Sequence, residues 1–174
     1  VAALDIEFQF LSAVESGRGR VVMTQEMLNL QWTAVALYPA GYFTRQIPVP
    51  ASVRLPEEWQ LARALDVAST AGGVTTFKQT SFEELADSPL FAGRYVKTIN
   101  LGSIGPAPVR LNVFADKPEL LEIKPEHEEA HNAMVRQAYK LFGAHHYDHY
   151  DFLLALTDRM GGIGLEHHQS SENG

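Results

Sequence analysis

The chain has 174 residues, 45% of them apolar, enough for one core or for one domain and part of a second. Lys and Arg number 14 against 21 Asp and Glu, a formal net charge of -7, and no basic run interleaves with aromatics, which sets nucleic acid aside as a partner. The chain has no cysteine, so disulfides, thiolate zinc sites and cysteine nucleophiles are excluded and His, Asp and Glu are left as the strong metal ligands.

No apolar stretch reaches the roughly 18 residues of a membrane-spanning segment, and the first residues lack the basic start and apolar run of a leader. Val1 lies inside an alternating apolar pattern and Ser170 to Gly174 supply no closing element. A piece of a longer protein is expected, with cytoplasmic and exported locations both open.

Leu4, Ile6, Phe8 and Phe10 alternate with Asp5, Glu7 and Gln9, the period-two pattern of a strand with one buried face. Val21 to Thr24 and Trp32 to Tyr38 read as further strands, with Ser16-Gly17-Arg18-Gly19 and Pro39-Ala40-Gly41 as turns. Pro48, Pro50 and Pro56 favour edges and loops, since proline has no N–H for a ladder. Thr80 or Ser81 can cap a short helix over Phe82 to Ala86 that Asp87-Ser88-Pro89 ends. Val74 to Gln79, Tyr95 to Leu101 and Val109 to Ala115 complete a set of short strands at sandwich spacing.

Beyond Ala115-Asp116-Lys117-Pro118 the period changes. Met134, Val135, Ala138, Tyr139, Leu141 and Phe142 fall at three- and four-residue spacings, which predicts an amphipathic helix over Pro125 to Phe142 with Gly143 as its cap. Tyr150 to Leu156 and Ile163 to Glu166 read as two strands joined by a turn over Thr157 to Gly162. The expected division is a β-rich amino-terminal domain over residues 1–118, then a linker helix and the start of a second domain over 119–174.

Three clusters carry possible chemistry. His127-Glu128-Glu129-Ala130-His131 fits the H-E-x-x-H pattern, in which two histidines on one helix face hold zinc and the glutamate activates its water. Its acids also suit the first turn of an exposed helix, where they complement the dipole, and that reading is preferred. His145 to Asp151 could bring His145, His149 and Asp151 to a cation, or form a polar loop leading into a buried strand. Gly161-Gly162-Ile163-Gly164-Leu165-Glu166 leaves strand backbone uncovered for a substrate peptide, whose amino terminus a carboxylate could hold; a glycine-rich hairpin with solvent-facing Glu and His is the plain alternative.

Tyr150-Asp151-Phe152-Leu153-Leu154-Ala155-Leu156, followed by Gly162-Ile163-Gly164-Leu165-Glu166-His167-His168-Gln169-Ser170, resembles peptidase family 61, the glycyl aminopeptidase relatives that often carry a PDZ domain. Phe82 to Gly93, with its Asp87-Ser88-Pro89 segment, resembles the amino-terminal domain of the same family. The resemblance implies a β-sandwich-like amino-terminal domain packed on the first strands of a thermolysin-like α/β domain of the aminopeptidase N superfamily, mainly β with some α.

In that superfamily a Gly-x-Met-Glu-Asn strand lies beside the active site and its Glu grips the substrate's α-amino group. Gly164-Leu165-Glu166-His167 stands in its place, with Leu165 for Met and His167 for Asn, which implies a substrate-binding role for these four residues and above all for Glu166. The family's own zinc helix follows this strand, so His127 and His131 do not match it in order.

The resemblance therefore implies a zinc metallo-aminopeptidase acting on peptides. This chain is expected to need the remainder of the catalytic domain, to hold no zinc itself and to be inactive alone. Two alternatives stand beside it. One is a compact zincin built on His127, Glu128 and His131. The other is a β-sandwich docking module that uses Trp32, Tyr38, Tyr42, Phe43 and Trp59.

Overall fold

The structure, a computed structural model, describes residues 3–101 and 107–174. In chain order the strands are β1 (Met27–Leu30), β2 (Pro48–Val49), β3 (Ser52–Arg54), β4 (Gln60–Arg63), β5 (Val67–Ala71), β6 (Val74–Phe77) and β7 (Thr80–Ser81). Helix α1 (Phe82–Ala86) leads into β8 (Leu90–Gly93), β9 (Tyr95–Asn100) and β10 (Val109–Ala115). Helix α2 (Pro125–Phe142) precedes β11 (Tyr150–Leu156), β12 (Gly164–Glu166) and β13 (Ser170–Asn173).

The molecule is mainly β, and its strands stack in layers. An outer sheet β3-β6-β5 and an inner sheet β1-β8-β4, both antiparallel, enclose Trp32, Ala51, Leu65, Phe77, Leu90 and Ala92, with Leu85 of α1 closing one side. This is the sandwich expected from the sequence. The short pair β2 and β7 lies beside it, and Pro48 sits in an outermost strand where no N–H is needed.

The inner sheet's other face packs on a five-stranded sheet in the order β12-β13-β11-β10-β9. Successive residues of a strand point to opposite faces, so β8 serves two cores: Leu90 and Ala92 face the sandwich, while Phe91 meets Phe114, Leu153, Ala155, Met27 and Ala62. Phe91 and Phe114 pack edge to face at 5.8 Å. Gly93 ends β8 where a Cβ would lie 2.8 Å from the Glu26 carbonyl oxygen and 3.1 Å from the Phe114 ring, so only glycine lets the layers approach this closely.

Strands β10 and β11 run parallel, joined through α2, because a parallel pair needs a long crossover. Val109, Leu111 and Val113 pack with Ile99 and Leu101 against Val135 of α2, while Arg110, Asn112 and Phe114 face the sandwich. The change of period at Ala115 to Pro118 marks this crossover. Strands β9 and β10, which the sequence groups with the first 118 residues, are hydrogen-bonded into the same sheet as β11 and β13.

Helices α1 and α2 span the residues their patterns predict, and β10 and β11 likewise. Three other expectations differ. Leu4 to Phe10 form no strand: the segment pairs with no ladder among the described residues, and Leu4, Ile6, Phe8 and Phe10 are exposed. Alternation marks one apolar face, but a strand exists only where a neighbour accepts its hydrogen bonds. Val21 to Thr24 make a single bridge, Met23 to Leu28. Trp32 starts a 3-10 turn over Trp32–Ala34, where its buried indole N–H donates to the Ser88 carbonyl oxygen at 2.9 Å.

Candidate functional site

Strand β12 is the outermost strand of the five-stranded sheet, paired only with β13 among the described residues: Gly164 opposite Asn173, Leu165 opposite Glu172, Glu166 opposite Ser171. Its second edge carries no partner strand among the described residues. All three residues of β12 are exposed, and a Cβ placed on Gly164 would meet nothing within 4 Å. Glu166 shares a face with Ser171 and Phe152, the face that packs α2. The Tyr150 phenol lies close enough to feel it: burial foremost pushes that phenol up, and the charges of Glu166 and Asp87 add to it.

Immediately after Glu166 the chain turns inward. The His167 side chain is 8% exposed and both ring nitrogens are engaged, Nδ1 with Asp87 Oδ1 at 3.0 Å and Nε2 with Glu172 Oε2 at 3.1 Å. Glu172, fully buried on β13, also accepts from Asn29 Nδ2 at 2.5 Å and Gln31 Nε2 at 2.9 Å. The second oxygen of Asp87 accepts the His168 backbone N–H at 2.9 Å. Asp87 caps the C-terminal end of α1, while Asn29 belongs to β1, so this network joins the hairpin of β12 and β13 to the sandwich.

The network holds opposite charges. Burial works against the Glu172 carboxylate, but hydrogen bonds from His167, Gln31 and Asn29 outweigh it and hold the carboxyl below its ordinary value. Burial likewise disfavours an imidazolium at His167, and the hydrogen bonds to Glu172 and Asp87 outweigh it and raise this pKa. The two carboxylates on either side of the ring thus favour the imidazolium form of His167. Sequence reasoning did not single out Asp87, Asn29, Gln31 or Glu172. The one signal was that Asp87-Ser88-Pro89 and the Gly164 to Ser170 segment carry the resemblance together; the structure places them in contact.

A second network lies across the same layer boundary. Asp151 accepts from Arg110 Nε at 2.7 Å and Nη2 at 2.6 Å, from Asn112 Nδ2 at 2.9 Å and from His149 Nδ1 at 2.8 Å. Burial raises the Asp151 carboxyl, but the hydrogen bonds from Arg110, His149 and Asn112 prevail and lower it. His145 and Asp151, weighed from sequence as common ligands of a cation, do not share this site, since His145 Nδ1 donates to the Tyr147 carbonyl oxygen at 2.7 Å.

The H-E-x-x-H residues occupy the first turns of α2. His127 is exposed, and His131 Nδ1 donates to the His127 carbonyl oxygen at 2.7 Å. Among the described residues no three His, Asp or Glu side chains form a group suited to a metal ion. Of the aromatics considered for a docking surface, Trp32 is buried and Trp59 packs against the same core, while Tyr38 lies 4.7 Å from Phe82. Tyr38, Tyr42 and Phe43 are exposed.

A family model described as the peptidase M61 N-terminal domain matches residues 2–94, more than half of the chain. The chain belongs to peptidase family M61. The match ends at Arg94, one residue before β9, where the sandwich gives way to the five-stranded sheet. The M61 fold is similar to that of an aminopeptidase N family protein from Idiomarina loihiensis, with a TM-score of 0.65 and 19% identity over 86% of this chain and 25% of that one. It is also similar to native yeast LTA4 hydrolase, with a TM-score of 0.54 and 14% identity over 84% of this chain and 23% of that one. The M61 chain thus spans about a quarter of the length of these structures, and at such identities the likeness is one of fold. Among curated proteins, none matches the chain. No helix of the described residues is long and apolar enough to cross a membrane.

Proposed function

We propose that this M61 chain is the substrate-side part of a zinc metallo-aminopeptidase that removes amino-terminal residues from peptides, with Glu166 as the anchor of the substrate's α-amino group. The observation that carries this reading is an exposed carboxylate on the free edge strand of a sheet. A peptide laid along β12 can use the outward-facing backbone groups of Gly164 and Glu166, in the manner of strand addition. Its ammonium then reaches Glu166, where a charge-assisted hydrogen bond selects a free amino terminus over a blocked one. Gly164 leaves room for the peptide backbone, and Leu165 and His167 complete the edge.

Zinc, where bound, polarises the scissile carbonyl and the attacking water. The metal is assigned to the remainder of the catalytic domain, because the zinc helix implied by the family resemblance follows the Glu166 strand. The 174-residue chain alone is expected to be inactive. We propose to end the amino-terminal unit, divided from the catalytic domain at 118 on sequence, before β9; the stop of the family match at residue 94 and the start of the five-stranded sheet support this.

The reading is tested by amide NMR of this chain titrated with glycyl dipeptide amides. Shifts at Gly164, Leu165 and Glu166 are expected with a free amino group and are lost on N-acetylation or in Glu166→Ala. Equal shifts with acetylated peptide, or chelator-sensitive turnover by the chain itself, would overturn it.

A further inference from the structure

Position, and not only charge, decides whether a carboxylate can capture an ammonium, and β12 by itself is poorly fixed. It is three residues long, it lies at a sheet edge, and all three residues are exposed. Three ladder positions against β13, the reciprocal backbone bonds of Ile163 and Gly174 at 3.2 and 2.9 Å, and the His167 N–H donating to the Ser170 carbonyl oxygen at 2.8 Å are its local restraints, all of them to the other arm of the same hairpin. The side chain that follows Glu166 supplies what the backbone lacks. His167 crosses from the hairpin to the end of α1, and the same Asp87 that accepts a hydrogen bond from its Nδ1 accepts the His168 N–H.

Resting on the reading of Glu166 as the amino-terminal anchor, we propose that His167 is a positioning residue: held between Asp87 of the sandwich and Glu172 of β13, it latches the Glu166-bearing hairpin in register for substrate. Three features make it a latch and not an incidental surface pair. Its imidazole is 8% exposed and Glu172 is 0% exposed, so the pair between them is shielded from solvent. Glu172 is also held by Asn29 at Oε1 and by Gln31 at the Oε2 it shares with His167, so the hairpin is tied to β1 as well as to the end of α1. Asp87 uses both oxygens on consecutive residues of the loop, which sets the direction of the chain as well as its distance.

The charged groups around the imidazole are Asp87 from the end of α1 and Glu172 from β13, with Arg20 feeling the charge of Glu172 from the segment before β1. Both groups that touch it are acidic, so the latch is tight while the imidazole carries its second proton and loosens when that proton leaves.

Asp87→Asn is the variant of choice, because Asp87 is 46% exposed and its loss leaves the buried Glu172 cluster in place. The two donors lie on different oxygens of Asp87, and an amide puts an NH2 in place of one of them, so it cannot keep both bonds in this geometry. Hydrogen exchange of the 174-residue chain is followed by NMR from pH 5 to 9, with the His167 ring nitrogens observed in the same samples. Wild-type protection at His167 and across β12 and β13 is expected to fall as the imidazole loses its second proton. In Asp87→Asn it is expected to be about tenfold lower at every pH below that point, with β9 to β11 unchanged. His167→Gln should give the same loss with no pH dependence.

Protection in β12 and β13 that ignores both the variants and the imidazole titration would overturn the latch. The glycyl dipeptide amide titration separates this from the anchor reading. Selective binding in wild type that weakens about tenfold in Asp87→Asn supports both. Failure of wild type to distinguish free from acetylated peptide removes the anchor, while the exchange data still decide the latch.

Discussion

Asp151 shows what a single buried charge demands of its surroundings. Its side chain is 2% exposed and receives four hydrogen bonds from Arg110, Asn112 and His149, which use nearly all the acceptor capacity of a carboxylate. A buried pair of this kind adds little net stability over an apolar replacement, but breaking it leaves a charge without its partner. Asp151→Ala strands the Arg110 guanidinium beside Arg63, which is itself depressed foremost by burial. A loss of about 3 kcal/mol is expected in urea unfolding, at the lower end for a broken buried pair because Arg110 keeps 27% exposure. Arg110→Ala should cost more than that, because Asp151 has no such access to water. Equal and small losses would mean that water enters the layer boundary and solvates both groups.

At the scale of elements, α1 is five residues long and depends on its ends. Ser81 accepts the Glu84 N–H at 3.1 Å, and Glu83 and Glu84 lie in the first turn, where the helix dipole favours acids. Ser81→Ala is expected to cost about 1 kcal/mol in chemical unfolding. Because α1 ends on Asp87, the loss should be accompanied by faster exchange at His168. Elements whose signals are local were legible in the sequence: α1 through its cap, α2 through its period and the left-handed Gly143, β10 and β11 through their runs of apolar residues. Strand β8 was not, because Leu90-Phe91-Ala92-Gly93 is buried on both faces and shows no alternation. Leu4 to Phe10 failed in the opposite sense, showing alternation without a neighbour to pair with. The site was half legible for the same reason. Glu166 sits in a recognisable segment, whereas the pairing of His167 with Asp87 joins residues 80 positions apart, and only the packed layers bring them together.

The whole molecule is held by what lies between its layers: an apolar centre of Phe91, Phe114, Leu153 and Ala155, with ionic networks flanking it. Further out, Arg159 bonds both Glu26 and Asp116, another tie between the sandwich side and the five-stranded sheet. Such a boundary makes stability depend on pH from both directions. Glu172 and Asp151 have folded pKa values below their ordinary 4.5 and 3.8, so their contributions are complete above those values and are lost as pH falls through the lowered ones. His167 is raised above its ordinary 6.5, so its contribution is complete below 6.5 and is lost as pH rises through the higher folded value. The networks therefore stabilise together most fully between about 4.5 and 6.5. Melting temperature measured across pH should show a plateau in that window and a decline on each side. A net charge of -7 also disfavours the compact state at higher pH, and salt separates the two causes. Self-repulsion among exposed carboxylates is screened by added salt, whereas the shielded pair of His167 and Glu172 is screened much less. The alkaline decline is thus expected to persist at high salt in the wild type and to vanish in His167→Gln, which has no proton to lose. A decline that salt abolishes in the wild type, or that His167→Gln retains in full, would assign it to net charge and remove the His167 pair from what holds the layer boundary.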